Sequence, residues 1–197
     1  VLATTDTPGQ NPLPGARSEH DLLTGWFPDQ TRTVLADTDA TRRNLLDHLD
    51  GHRWLHASCH GDQALSAPTT GGLLPYDWNT TGLVTVTDLT APGHTGGEFA
   101  FLSACKTAIG GTINVDEAIT VASAMQHAGW RHVIGTLWSV WDTSAATITA
   151  DLYPQLLRHG SLSTHNAAGA LHRTTRALRD TSPDHPTTWA PFIHTGP

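Results

Sequence analysis

The chain has 197 residues, of which 38% are hydrophobic and 15% charged, a balance typical of one globular domain rather than a disordered chain. Its formal net charge of -7 and its scattered arginines argue against a nucleic-acid-binding surface, and no apolar run approaches the length of a membrane span. Two cysteines cannot build a disulfide framework, so we expect a reducing, cytoplasmic location with neither nucleic acid nor membrane as a partner.

Apolar runs alternate with helical periods in the first part of the chain. The pattern predicts a strand in 1–5, a helix in 12–27, a strand in 31–37, a helix in 38–52 and a strand in 53–61. The helix in 38–52 has Thr38 or Asp39 as its candidate cap and Gly51 at its end. Leucines at 45, 46 and 49 give that helix one apolar stripe.

Residues 62–97 are rich in Gly, Pro and Thr, with a small apolar patch in 82–89. This is the longest segment that we predict to be irregular. In a compact domain such a segment often carries function, so we expect it to border the site.

Strands and helices alternate again in the second part of the chain. We predict strands in 98–105, 131–140 and 189–196, and helices in 114–129, 142–160 and 163–180. Asn114 with Glu117 resembles a capping box, Asp142 is a candidate cap, and Pro154 should kink or shorten its helix. Alternation with near-continuous apolar strands predicts a mostly parallel sheet covered on both faces, a three-layer α/β sandwich in one domain over 1–197.

Two predicted strands end in reactive side chains. The strand in 53–61 ends in Cys59 and His60, and the strand in 98–105 ends in Cys105, followed by Lys106, the only lysine. Ligands bind outside the carboxyl ends of parallel strands, so neighbouring strands would bring His60 and Cys105 together there. A histidine beside a thiol favours the nucleophilic thiolate, and the backbone N–H groups near Gly61 and Cys105 could bind a developing oxyanion.

Four segments, read together, are similar to one known family. They are "LHASCHG", "FLSACKTAIGG", "VDEAITVASAMQHAGWRHVIGTLWSVWDTSA" and "PTTWAPFIHTG". Their order and spelling resemble the CHAT family of caspase-like cysteine peptidases, from about Pro14 to the end of the chain. The resemblance implies a caspase-like sheet, His60 as base, Cys105 as nucleophile and Gly61 as oxyanion donor. It also matches Asp142 to an acidic position near the primary specificity pocket of separase-like relatives.

The sequence departs from the family pattern in three ways. Lys106 replaces a residue that is usually acidic, and the usual acidic pair after the tryptophan segment is here Trp141–Asp142. The family domain normally begins some tens of residues earlier. We therefore expect an N-terminally incomplete domain, or one excised from a longer bacterial protein in which repeat or other regulatory domains accompany it.

The candidate substrate residues each have a plainer interpretation. Asp142 could cap a helix, or could select Arg or Lys before the scissile bond. Trp138 and Trp141 could line the pocket or only pack, and Asp116 could border the cleft or only favour the helix dipole. Cys105 itself could be a buried structural cysteine.

Strand alternation separates the remaining candidates. Cys59 should point into the core with Leu55 and Ala57, whereas His56 shares the opposite face with His60 and is best interpreted as a hydrogen-bonded core histidine. The pairs His56/His60 and His165/His172 lack the partners of a metal motif, so we expect no metal and no other cofactor.

The first hypothesis is therefore a cysteine endopeptidase that acts on a protein or peptide substrate. The second is a catalytically inert or gated caspase-like binding module, and a third is a thiol hydrolase of small esters or amides.

Overall fold

A computed structural model describes residues 1–62, 71–91, 97–104, 120–158 and 161–197. The strands are β1 (Leu2–Ala3), β2 (Leu35–Ala36), β3 (Trp54–Ser58), β4 (Gly61–Asp62), β5 (Gly72–Leu73), β6 (Val84–Thr85), β7 (Phe99–Ser103), β8 (His132–Thr136), β9 (Leu157–Arg158), β10 (Ser161–Leu162) and β11 (Phe192–Thr195). The helices are α1 (Pro14–Trp26), α2 (Arg42–Leu49), α3 (Trp78–Thr81), α4 (Val86–Leu89), α5 (Val121–His127), α6 (Asp142–Leu156), α7 (Ala167–Thr181) and α8 (Pro186–Trp189).

Six strands form the main sheet in the order β11-β8-β7-β3-β1-β2. All neighbours in this sheet are parallel except β11, which runs antiparallel to β8. β3 and β7 pair over their whole lengths, from Trp54 opposite Phe99 to Ser58 opposite Ser103. The sheet is thus mostly parallel, as the alternation of strands and helices predicts.

Helices cover both faces of this sheet, which confirms the three-layer α/β sandwich. One face carries α2, α4 and α5, whose apolar side chains pack on Leu55, Ala57, Ala100, Leu102 and Val133 of the strands. The other face carries α1, α6 and α7, which pack on Phe99, Phe101, Ile134 and Phe192. The central strands β3, β7 and β8 therefore direct alternate residues into two separate cores.

Helix α2 begins later than the sequence predicts. Residues Asp37–Asp39 form a short 3-10 turn, so Thr38 and Asp39 do not cap the helix. Thr41 is the cap instead, and its side chain accepts the backbone N–H of Asn44. The predicted end is confirmed, because Gly51 follows the helix with φ +83°.

Helix α6 differs from its prediction at both ends. Its cap position is Trp141, and Asp142 is the first helical residue, so the prediction that Asp142 caps α6 is wrong. Pro154 lies inside the last turn, and the helix ends at Leu156 rather than near residue 160. The missing N–H of Pro154 costs the helix one hydrogen bond, but the helix continues for two residues beyond it.

The segment predicted to be irregular contains regular structure. Strands β4, β5 and β6 form a small antiparallel sheet in that order, and α3 and α4 flank β6. Two-residue strands are too short to produce a readable alternation, so the sequence pattern missed them. Within the described ranges, no helix has both the length and the apolar character needed to cross a bilayer.

Candidate active site

The candidate site lies at the carboxyl edge of the two central strands. Ser58 and Ser103 are the last residues of β3 and β7 and face each other across the parallel pairing. His60 follows Ser58 by two residues, and Cys105 follows Ser103 by two residues in the sequence. Cys105, Lys106, Asp116 and the predicted Asn114/Glu117 capping box fall outside the described residues.

His60 is held by a backbone carbonyl. Its Nε2 lies 2.8 Å from the carbonyl oxygen of Asn11, and the ring is partly exposed. A carbonyl only accepts hydrogen bonds, so Nε2 carries a proton, and the neutral form of the ring then has its lone pair on Nδ1. This tautomer is suited to taking a proton through Nδ1. Nothing in the sequence singles out Asn11, because its contact uses only the main chain.

A cleft of about 530 Å³ opens beside His60. It is lined by Gln10, His60, Gly61, Asp62, Leu74, Trp78, Gly82 and Leu83. Gly61 begins β4 directly after the histidine, so its backbone lies on the cleft wall. Asp62 contributes an exposed carboxylate there. The segment after His60 therefore borders this cleft, whose walls include β4, Trp78 of α3 and residues next to β5 and β6.

The carboxylate of Asp142 is bound to the start of α1. It accepts the backbone N–H of Gly15, which lies 127 residues away in the sequence. Leu13, the cap position of α1, provides no side-chain hydrogen bond, so Asp142 serves as the cap of α1 from a different helix. A Cβ at Gly15 would lie 2.5 Å from the Asp142 carbonyl oxygen, which explains the glycine in this first turn.

The electrostatic surroundings of Asp142 also include His60. Burial raises the pKa of Asp142. The Gly15 amide opposes that shift, the charge of Glu19 adds to it, and a positive charge on His60 opposes it more weakly. The structure assigns Asp142 the helix-capping contact, and its role in substrate selection stays a prediction.

Two tryptophans follow β8 at this same edge of the sheet. Trp138 is 36% exposed and Trp141 is 70% exposed. Trp141 therefore does not fill the core, and the part of both tryptophans in a substrate pocket stays a prediction.

Cys59 and His56 lie where strand alternation predicts. Cys59 is buried with Leu55 and Ala57 in the core on the α2/α5 side. His56 is buried on the opposite face, with Nδ1 2.9 Å from the Tyr153 hydroxyl and Nε2 2.9 Å from Oε2 of Glu19. Both predictions are confirmed, and His56 is a hydrogen-bonded core histidine.

Glu19 is the residue that the sequence interpretation missed. It is a fully buried carboxylate on the inner face of α1, one helical turn from the core residues Ala16 and Leu23. An acid at a core position of an amphipathic helix is the signal that could have revealed it. Among the residues that the structure describes, no cluster of three His, Cys, Asp or Glu side chains is arranged to hold a metal ion.

Comparison with known proteins identifies the family. The CHAT domain model matches residues 1–197, the whole chain. The chain belongs to the CHAT family. This membership confirms the resemblance of the four sequence segments. Among curated proteins, none matches the sequence.

Solved structures similar to this CHAT domain include caspase-like cysteine proteases. The complex of Porphyromonas gingivalis RgpB pro- and mature domains has a TM-score of 0.66 at 15% identity, covering 98% of this chain and 45% of that one. The Arg-specific cysteine proteinase gingipain R has a TM-score of 0.61 at 14% identity, covering 98% of this chain and 44% of that one. The chain spans less than half the length of either protease. At this identity the likeness shows a shared caspase-like fold.

Proposed function

We propose that this CHAT domain is a cysteine endopeptidase in which His60 activates Cys105. Its main support is the hydrogen bond from Nε2 of His60 to the Asn11 carbonyl, which leaves Nδ1 as the proton acceptor. His60 also follows β3 at the edge where the neighbouring strand β7 leads toward Cys105 in the chain. The caspase-like fold of the gingipain structures is consistent with this pairing.

The proposed reaction has two steps. Nδ1 of His60 takes the thiol proton, and the Cys105 thiolate attacks the peptide carbonyl carbon, while the backbone N–H groups of Gly61 and Cys105 bind the oxyanion. Collapse of this intermediate breaks the C–N bond, and the imidazolium gives its proton to the leaving amine. Water, deprotonated by His60, then hydrolyses the thioester and restores the thiol.

The substrate chain would cross the carboxyl edge between two surfaces. The cleft beside His60 and Gly61 has room for side chains on one side of the scissile bond, and the exposed Trp138 and Trp141 offer an apolar surface after β8. An extended peptide is the substrate class that such an open, elongated edge accommodates. No metal or organic cofactor takes part in the proposed steps.

Preference for a basic residue before the scissile bond is the second part of the proposal. The related gingipain R is Arg-specific by its description, and two acids border this edge, Asp142 and the cleft residue Asp62. A carboxylate pairs well with a guanidinium. A peptide panel on the Asp142→Asn and Asp62→Asn variants identifies which acid selects the residue. A preference for Leu, Met or Asp in the unaltered protein would contradict this part.

Substrate discovery provides the test of the main proposal. The protein is incubated with bacterial lysate, and new N-termini are identified by mass spectrometry, with Cys105→Ala and His60→Ala as matched controls. We expect cleavages with the unaltered protein that both variants lose while they keep the far-UV circular dichroism spectrum. Cleavage that persists in either variant would contradict the dyad, and a Cys105 unreactive to a peptidyl chloromethyl ketone would favour the binding-module alternative.

A further inference from the structure

A buried carboxylate joins four elements of the fold just beneath the candidate site. Glu19 of α1 has no exposed surface. Its Oε1 accepts the hydroxyls of Ser58 at 2.7 Å and Ser103 at 2.9 Å. Its Oε2 accepts the hydroxyl of Thr149 at 2.7 Å and lies 2.9 Å from Nε2 of His56. One side chain thus binds α1 to β3, β7 and α6.

The two serines occupy equivalent places on neighbouring strands. Ser58 ends β3 and Ser103 ends β7, and they face each other in the parallel pairing. In the sequence, each lies two residues before a proposed catalytic residue: His60 follows Ser58, and Cys105 follows Ser103. A single oxygen of Glu19 therefore holds the last residues of both strands at one point. Beyond that point the main-sheet pairing of these two strands stops.

The hydrogen bonds around Glu19 favour the ionised form of its carboxylate. Burial raises the pKa of Glu19, but the hydrogen bonds from His56, Ser58 and Thr149 and the charge of His56 outweigh it and lower that pKa. Hydrogen bonds to an ionised acceptor are stronger than those between neutral groups. His56 is itself fixed, since its ring stacks on Phe101 at 5.0 Å and its Nδ1 meets the Tyr153 hydroxyl. The side-chain oxygens and ring nitrogens of this cluster therefore all have hydrogen-bond partners.

We propose that Glu19 is a positioning residue that sets the separation of His60 and Cys105 by holding Ser58 and Ser103 to one oxygen. This inference rests on the proposed cysteine-peptidase function. The reason is geometric: a proton transfer between two side chains falls steeply when they move apart by about 1 Å. Among the residues that the structure describes, Glu19 bonds to His56, Ser58, Ser103 and Thr149 and not to His60, so it would act through the backbone of the two strands.

The test uses two sets of variants that remove bonds from the same carboxylate. Ser58→Ala with Ser103→Ala removes the bonds to Oε1 from the strand ends. Thr149→Val, nearly the same size as threonine, removes a bond of equal length to Oε2 from α6. The readouts are the melting temperature and the pH profile of iodoacetamide alkylation at Cys105, followed by peptide mass spectrometry so that Cys59 is distinguished.

We expect the double serine variant to alkylate Cys105 at least tenfold more slowly at pH 6 than the unaltered protein. Thr149→Val should lower the melting temperature comparably but change the alkylation rate less than twofold. The variant that combines Ser58→Ala with Ser103→Thr keeps one hydroxyl at the strand ends. It should recover most of the alkylation rate that the double alanine variant loses. On a cleaved peptide, the serine variants should lower kcat and leave KM unchanged.

Two results overturn the inference. One is a double serine variant whose pH profile of Cys105 alkylation matches that of the unaltered protein. The other is an alkylation rate that falls in proportion to the melting temperature in both the serine variants and Thr149→Val, which would make Glu19 a purely structural residue. The His60→Ala variant shows whether the underlying function itself fails. If Cys105 in His60→Ala is alkylated as fast as in the unaltered protein, the dyad is wrong. If His60→Ala slows alkylation but the serine variants do not, the dyad stands and the positioning role of Glu19 is wrong.

Discussion

Two histidines four residues apart on one face of the same chain segment have opposite surroundings. His56 belongs to a buried layer of polar side chains around Glu19, which also contains Ser58, Ser103 and Thr149. Both ring nitrogens of His56 bond to side chains, and its ring stacks on Phe101. His60 lies at the carboxyl edge, partly exposed, with Nε2 on a backbone carbonyl. The buried layer has fixed partners on four elements, whereas the edge relies on one main-chain contact in the part of the chain that the structure describes.

This difference separates a side chain that holds strands and helices together from a side chain that keeps an atom available for proton transfer. A group whose polar atoms are all engaged by neighbouring side chains cannot take a proton from a substrate or a thiol without breaking those bonds. A group at a strand end keeps an available atom but loses the packing that would orient it. The two kinds of surroundings meet within one short segment, because Glu19 binds Ser58 and His60 follows two residues later.

Removing the carboxylate of the buried layer should have the largest effect on stability. Glu19→Ala leaves three hydroxyls and one imidazole without their acceptor, and we expect a loss of at least ~3 kcal/mol in the free energy of unfolding. Glu19→Gln should lose less, because an amide oxygen still accepts. Urea unfolding followed by circular dichroism measures both variants. A loss below about 1 kcal/mol for Glu19→Ala would contradict the role of this layer.

The same carboxylate should make stability depend on pH in the acid range. The pKa of Glu19 is lowered in the folded state from its ordinary value of 4.5, so its contribution is fully present above that value. The contribution is lost as the pH falls through the lower, folded-state pKa. We expect the melting temperature of the unaltered protein to fall more steeply between pH 5 and 3 than that of Glu19→Gln. Parallel curves for the two proteins would contradict an ionised Glu19.

The contact between α6 and α1 should have a moderate effect. Asp142→Ala removes the cap of α1, and the loss expected for such a cap is about 1–2 kcal/mol. Asp62→Ala, an exposed acid of the same cleft region, is the control and should change stability by no more than about 0.5 kcal/mol. Equal, small losses in both variants would mean that the Gly15 contact contributes little and that Asp142 is free for another role.

The exposed edge should respond least in stability and most in substrate affinity. Trp141→Ala removes a side chain that is 70% exposed, so we expect a stability change within about 0.5 kcal/mol. On a peptide identified from lysate, the same variant should raise KM several-fold, and Trp141→Phe should recover part of the loss. An unchanged KM would exclude Trp141 from the substrate surface.

Much of the fold could be predicted from the sequence, because long apolar strands and amphipathic helices have strong periods. The alternation in 53–60 separates Cys59 from His56 correctly, and the order of strands and helices predicts the parallel sheet. The two-residue strands β4, β5 and β6 could not be predicted, since they carry no period. The start of α2 could not either, because Thr38, Asp39 and Thr41 all have cap-forming side chains and only the local turn decides among them.

The candidate site was predictable only where strand ends reveal it. His60 and Gly61 follow from the strand in 53–61, but the partners that fix the site come from distant parts of the chain. Asn11 contributes only a backbone carbonyl, and Asp142 meets Gly15 across 127 residues. Glu19 reaches the ends of β3 and β7 only because α1 crosses that face of the sheet. Such contacts depend on tertiary packing, which a single sequence does not encode in any local pattern.

The central claim is that His60 activates Cys105. The most direct test measures the rate at which iodoacetamide alkylates Cys105 as a function of pH, in the unaltered protein and in His60→Ala. An ordinary cysteine has a pKa of about 8.5, and an adjacent histidine lowers it. The account predicts that at pH 6 the unaltered protein reacts at least about tenfold faster than His60→Ala, with the two curves meeting above pH ~9. Coincident curves at every pH, with both proteins folded, would contradict it.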